Sequence, residues 1–145
     1  MATFKVGARL HDYGQGTADE LFAKVRADGF SCVQLAYKKC MPWVKRYADI
    51  TPELVEQTVA AGKAHDIWVG VLGTYVELAI DDEAVRTANA ADFRSQLAVC
   101  KALGAGCIGT ETTNMALQPA GTTRERAQYL LRKSLETILP EAERL

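Results

Sequence analysis

Short apolar runs at residues 4–10, 31–36, 67–72 and 106–110 alternate with stretches of helical periodicity, and this alternation limits the fold more than any other feature of the chain. Each run is bounded by glycine or polar residues, as strands are, and each gap carries apolar residues three and four apart. In "TADELFAKVRADG" Thr17 is a helix N-cap, acids fill the first turn, Leu21, Phe22 and Val25 share one face, and Gly29 stops the helix. "TPELVEQTVAAGKAHD" repeats that grammar, with Thr51 as cap, Pro52 at the first helical position, and Leu54, Val55, Thr58 and Val59 as the buried stripe. A third helix is expected over 82–103, with Phe93, Leu97 and Cys100 on one side and Gly104 as its stop. A fourth starts near Thr122 or Thr123 and carries Leu130, Leu131, Leu135 and Ile138, and Pro140 is expected to kink it or restart it as a final turn.

Strands that alternate with amphipathic helices pair in parallel through right-handed crossovers. The predicted architecture is therefore α/β, four consecutive βα units in one domain spanning 1–145. Two folds accommodate it, an open doubly wound sheet and a stretch of (β/α)8 barrel. A dinucleotide fold needs a glycine fingerprint at its first turn, but "HDYGQGTADE" offers Gly14 and Gly16 with Asp19 where the third glycine belongs. No GxxxxGK[ST] loop occurs either.

A barrel instead requires one face of each strand to meet the helices and the other to look inward, with polar groups collecting at the strands' carboxyl ends. On the first strand Val6, Ala8 and Leu10 would meet the helices, leaving Gly7, Arg9 and His11 inward. On the second, Val33 and Leu35 face helices while Cys32, Gln34 and Ala36 look in; on the fourth, Ile108 faces a helix while Cys107, Gly109 and Glu111 look in. The facing of the third strand is not readable from its pattern, although Tyr75 and Glu77 lie just past its end.

Seventeen basic and 18 acidic residues leave a net charge near zero, which gives no electrostatic footprint for nucleic acid or an anionic membrane surface. No apolar run reaches signal-peptide length or the roughly 18 residues a membrane span needs, so a cytoplasmic location is expected. Cys32, Cys40, Cys100 and Cys107 form no CxxC pair and read as small hydrophobes rather than zinc ligands.

The stretches "KVGARLHDYG", "GFSCVQLAYKK", "VGVLGTYVELA" and "CKALGAGCIGTETT", one on each strand, resemble the sugar phosphate isomerase/epimerase family, the xylose-isomerase-like TIM barrels that include inosose dehydratases and ketose epimerases. "LGAGCIGTETT" and "VQLAYKK" are the more specific pieces, and the resemblance runs the length of the chain. It implies a divalent ion, often manganese, on acidic and histidine ligands, and a proton moved between carbons adjacent to a sugar carbonyl. It also implies that most metal ligands lie on strands five to eight, whereas this chain ends after its fourth helix at "LPEAERL". By pattern the chain looks like the N-terminal half of such a barrel, inactive by itself. The alternatives are a non-catalytic half-barrel module that homodimerises through its open edges, or a truncated fragment. An endonuclease-like relative with a zinc cluster fits poorly with the neutral charge and two histidines.

Candidate substrate-binding residues are His11, Gln34, Tyr37, Lys38, Tyr75 and Glu111, for a small-molecule sugar or sugar phosphate. A carboxylate such as Glu111 can accept sugar hydroxyls, ligate a metal or move a proton. His11 can bind a substrate oxygen, and Gln34 is an amide on an otherwise apolar strand that needs a partner. Lys38, beside Lys39, can meet a phosphate, and Tyr37, Trp43 and Tyr75 can flank a sugar ring. His65, at a helix end, is read as structural, and Asp81, Asp82 and Glu83 as helix-start acids. No nucleophile, base and acid set is apparent, so catalytic residues are not assigned.

Overall fold

The computed structural model describes residues 6–111 and 113–145, so the first two residues of the predicted strand 4–10 and Thr112 of the "TETT" segment lie outside the described residues. Within them run β1 (Gly7–Arg9), α1 (Ala18–Ala27), β2 (Cys32–Leu35), α2 (Tyr37–Cys40), α3 (Pro52–His65), β3 (Trp68–Gly73), α4 (Glu83–Ala102), β4 (Cys107–Gly109) and α5 (Arg124–Arg144). The chain divides into two compact units: the first is the described part up to Gly73 with Val99–Gly109, the second Thr74–Ala98 with Thr110–Leu145.

The first unit holds the whole sheet, with strand order β1-β2-β3-β4 and every pair parallel. One side of the sheet is buried: Val33 lies opposite Val69 and Leu35 opposite Leu72, and all four are sequestered from water. α1 and α3 pack together, α3 packs on β3, and Leu21, Phe22 and Val25 of α1 are buried as the helical spacing predicts. Both helices begin where a threonine caps them: Thr17 accepts from the Glu20 N–H at 3.2 Å while Glu20 accepts from the Thr17 N–H at 2.8 Å, and Thr51 accepts from Leu54 at 3.3 Å.

The unreadable third strand has a physical cause. Val33 pairs with Val69 but Gln34 pairs with Val71, so Gly70 is an extra residue that breaks the two-residue period. The bulge keeps Leu72 on the buried side and puts Val71 opposite Gln34. The other side of the sheet then carries one residue from each strand in consecutive register, Arg9, Gln34, Val71 and Cys107. Arg9 and Cys107 are exposed and the middle two half-buried. Trp68, 42% exposed on this unit, donates its indole N–H to the Gly104 carbonyl at 3.0 Å. A side chain at Gly106 would come within 2.8 Å of the Trp68 ring and 2.9 Å of the Gly70 carbonyl, so that approach requires glycine.

Two expectations about facing change. Val6 precedes β1 and is exposed rather than turned to a helix. Ala36, expected inward, is buried because the chain turns there into α2, a single helical turn that the sequence pattern did not reveal. Lys38 and Lys39 therefore stand on that helical turn.

The second unit contains α5 and most of α4. Thr123 caps α5, its hydroxyl accepting from Arg126 N–H at 3.1 Å, and the buried stripe is Ala127, Leu130, Ser134 and Ile138. Ser134 replaces Leu135 in the expected stripe: its hydroxyl donates to the Leu78 carbonyl at 2.6 Å, while Leu135 is 38% exposed. α5 also runs through Pro140 to Arg144 instead of restarting there. So close to the carboxyl end, proline removes a single ladder hydrogen bond, and Ile138 remains buried beside it.

Truncating the buried row should be costly. Leu35→Ala is expected to lower the urea-unfolding free energy by about 2–5 kcal/mol, as buried leucine truncations do; a loss under about 1 kcal/mol would overturn the assignment of that side as the core.

Candidate functional site

In the first unit the chain leaves β1 directly into a short 3-10 turn, Leu10–Tyr13, anchored by the fully buried Leu10. His11 sits on that turn with its side chain only 16% exposed. Its Nδ1 is buried with no hydrogen-bond partner among the described residues, and its Nε2 lies 4.0 Å from Asp12, whose other oxygen accepts from Arg9 Nε at 3.0 Å. Burial first, then the charge of Lys39, holds the His11 imidazolium below its ordinary range; Asp12 opposes them and Arg9 reinforces them. A neutral histidine with an unpartnered nitrogen can accept from, or donate to, a ligand oxygen.

Gln34 lies opposite Arg9 on the open side of the sheet and makes contacts of its own. α2 packs beside the His11 turn, which brings Tyr37 and Lys38 into the same neighbourhood. Lys38 is exposed, its ammonium 4.6 Å from the centre of the Tyr47 ring. Tyr37 does not face solvent: it is buried, and its hydroxyl donates to Thr58 at 2.9 Å while Thr58 donates to the Leu54 carbonyl at 2.8 Å. Burial pushes its phenol up to about 12. The expected sugar-facing tyrosine meets a hydroxyl already committed inside the core. Trp43 is half-exposed and lines a cavity with α1 and α3 residues, and burial pushes the Cys40 thiol up to about 11, in keeping with a small core hydrophobe.

In the second unit, two of the three threonines around Glu111 are structural. Thr110 donates to the Val76 carbonyl at 3.1 Å and accepts from the Val76 N–H at 3.4 Å. The Glu77 carboxylate accepts from Thr113 Oγ1 at 3.3 Å and from the Asn114 N–H at 3.1 Å. Gln118 completes the brace, donating to Thr113 at 2.7 Å and to the Ala79 carbonyl at 3.2 Å while accepting from the Asp81 N–H at 2.9 Å. Asp81 in turn accepts from Arg126, whose guanidinium holds that carboxyl below its ordinary range. Glu111 is exposed and borders a cavity of about 630 Å³. Tyr75 is half-buried and has contacts of its own.

His11, Gln34, Tyr37 and Lys38 therefore belong to the first unit, and Tyr75 and Glu111 to the second. Sequence reasoning missed the bracing role of Glu77 and Gln118 and the presence of Arg124 on the Glu111 cavity. Their partners are many positions away, and no local pattern marks such pairs. Among the described residues no three His, Cys, Asp or Glu side chains gather into a metal-binding group, so Glu111 has no such companions among them.

The profile described as Xylose isomerase-like TIM barrel matches residues 22–145. The chain belongs to that family. No curated protein sequence matches it. Among solved structures it is similar to a D-psicose 3-epimerase from Clostridium cellulolyticum H10 solved with D-tagatose, at 14% identity and TM-score 0.74, covering 97% of this chain and 49% of that one. A D-psicose 3-epimerase solved in the presence of D-fructose gives 17% identity and TM-score 0.72, covering 97% and 49%. The 3-keto-D-glucoside 4-epimerase YcjR from E. coli gives 16% and 0.73, covering 98% and 53%. The chain thus spans about half the length of the solved structures it matches, and its four βα units correspond to half of a TIM barrel. No helix among the described residues is long and apolar enough to cross a membrane.

The environment of His11 fixes a pH signature. Its folded value lies below the 6.5 of the unfolded chain, so its contribution to stability is complete above that pH and is lost as pH falls through the folded value. In an NMR titration the His11 ring should show a midpoint under 6.5, and His11→Gln should remove the associated loss of stability in acid. A midpoint at or above 6.5 would contradict the buried, unpartnered imidazole.

Proposed function

We propose that this chain supplies the substrate-facing ends of the first four strands of a barrel that isomerises or epimerises a small sugar. The observation that carries this reading is the in-register row Arg9, Gln34, Val71 and Cys107, polar at two of its four positions and turned away from the helix-covered side. In a closed barrel that side is the interior, and the residues following the strands form the mouth where substrates bind. His11, Gln34 and Lys38 of the first unit then meet sugar oxygens; Tyr75 and Glu111 of the second unit are candidates for the same class of ligand by themselves. Tyr37 contributes packing behind them.

The reaction proposed is proton transfer next to a carbonyl. A carboxylate removes a proton from the carbon adjacent to the carbonyl, and the electron pair moves onto the carbonyl oxygen as an enediolate. The proton then returns to the opposite face of that carbon, or to its neighbour. The similarity to sugar epimerases supports this choice of substrate class. The divalent ion implied by the sequence resemblance finds no group of three His, Cys, Asp or Glu donors among this chain's described residues. The isolated chain is expected to bind sugar without turning it over.

A second reading has its own support. β1 and β4 are the two edges of the sheet. Edge strands carry unpaired N–H and C=O groups, and a two-fold rotation about an axis along the strands would set β4 of one copy beside β1 of another with all strands parallel. Such a homodimer is a non-catalytic module unless it also turns over a sugar.

Two measurements test these readings. In an amide NMR titration with D-fructose, shifts are expected at His11 and Gln34, and Gln34→Leu should weaken binding about 2- to 10-fold, the worth of one or two neutral hydrogen bonds; no response at these residues would reject sugar binding by the strand ends. Native mass spectrometry should show a dimer if the edges close on a second copy, and a monomer would reject the homodimer.

A further inference from the structure

α5 carries two rows of side chains along its length. Ala127, Leu130, Ser134 and Ile138 form the buried row. Leu131, Leu135 and Leu139, four residues apart, form a second on the neighbouring face. That second row is open: Leu131 is half-buried, Leu135 is 38% exposed and Leu139 is 51% exposed. The exposed Tyr129 of the same helix differs, because the Arg126 and Lys133 cations lie over its ring at 5.7 and 5.9 Å. Single exposed leucines need no explanation, whereas a row of them along one helix face marks a contact surface.

The pattern on this face is symmetric in shape and antisymmetric in charge. Leu131 and Leu139 stand four residues to either side of Leu135, and the exposed Gln128 and Ala142 stand seven to either side. Flanking the row are Arg124 and Arg132 in the amino-terminal half and Glu136 and Glu143 in the carboxyl-terminal half. The other charges of the helix are engaged. Arg126 holds Asp81, Arg144 pairs with Glu141, and Glu125 serves the cap, where its own N–H and the Thr123 hydroxyl hold its carboxyl below the ordinary range. Lys133 takes one Glu136 oxygen at 2.9 Å and leaves the other. A helix face of this kind complements itself when turned end for end. Each leucine then meets a leucine, each positive half meets a negative half, and the helix dipoles oppose.

We propose that two copies of this chain associate through α5, antiparallel about a two-fold axis at Leu135. Leu131 of one copy packs on Leu139 of the other, and Arg132 reaches the partner's Glu136. The contact is isologous, the same face serving both copies. It lies in the second unit, whereas the sheet edges β1 and β4 lie in the first, so it is a different surface from the edge pairing considered above and does not rest on the sugar reading. A contact along one 21-residue helix, about 30 Å long, stands at the small end of specific interfaces, so a Kd in the micromolar range is expected.

The test is sedimentation velocity of the full chain from about 1 µM to about 1 mM, a range that brackets such a Kd. A reversible monomer–dimer equilibrium is expected. Leu135→Glu sets two carboxylates face to face on the axis and should weaken association at least about tenfold. Arg132→Glu and Glu136→Arg should each weaken it, and the double variant, which restores opposite charges across the axis, should recover it. These charge variants alter exposed side chains and carry the test independently of any change in folding caused by Leu135→Glu. A chain that stays monomeric throughout would overturn the proposal and leave the leucine row to another partner. A dimer indifferent to Leu135→Glu would overturn it in favour of the sheet edges, and a double variant no better than the single ones would overturn the antiparallel pairing.

Discussion

One-sided burial of a four-stranded parallel sheet is the constraint on which the first unit depends. The pairs Val33 with Val69 and Leu35 with Leu72 are sequestered, and α1 and α3 close over one another with Leu21, Phe22 and Val25 equally buried. Each such side chain contributes about 1.5–3 kcal/mol when removed from water, an upper estimate because unfolded chains are partly collapsed. Because side chains alternate along a strand, fixing one row on the core side fixes the other row on the open side. Arg9, Gln34 and Cys107 owe their positions to leucines and valines that take no part in any chemistry. The bulge at Gly70 serves the same end, since unbroken alternation through Gly70 would put Val71 rather than Leu72 in the buried row.

The second unit is held together differently. Its segments after the strands are largely irregular, and buried backbone groups there need partners that no ladder supplies. Side chains fill that need: Ser134 reaches the Leu78 carbonyl, Asn89 the Glu77 carbonyl, and Gln118 both Ala79 and Asp81. Glu77 is consumed in the same way, and Glu111, one of the acids near the strand ends, keeps its carboxylate available. Two acids near strand ends thus differ in role, by what each finds within hydrogen-bond reach.

Local chemistry was legible in the sequence to the extent that its partners are local. The caps at Thr17, Thr51 and Thr123 act over three residues, and they appear where the pattern requires. The buried face of α1 follows from spacing alone. Where the outcome depended on a distant group the reading fell short: Leu135 yields to Ser134 because a carbonyl 56 residues away accepts its hydroxyl, and Tyr37 is drawn into the core by Thr58, 21 residues on. The one-turn helix α2 is too short to establish a period.

The sequence by itself determined the order of the four strands and the four long helices and their parallel pairing, because alternation, capping and glycine stops are written in neighbouring residues; the family came from the resemblance of its strand stretches. Tertiary structure alone decided which polar residues stay available for a ligand. His11 keeps a buried nitrogen without a partner, Tyr37 loses its hydroxyl to the core, and Arg124 comes to share a cavity with Glu111. The reason is physical: a hydrogen bond or an ion pair is set by distance in space, and residues far apart in the chain acquire that distance only when the elements between them have folded.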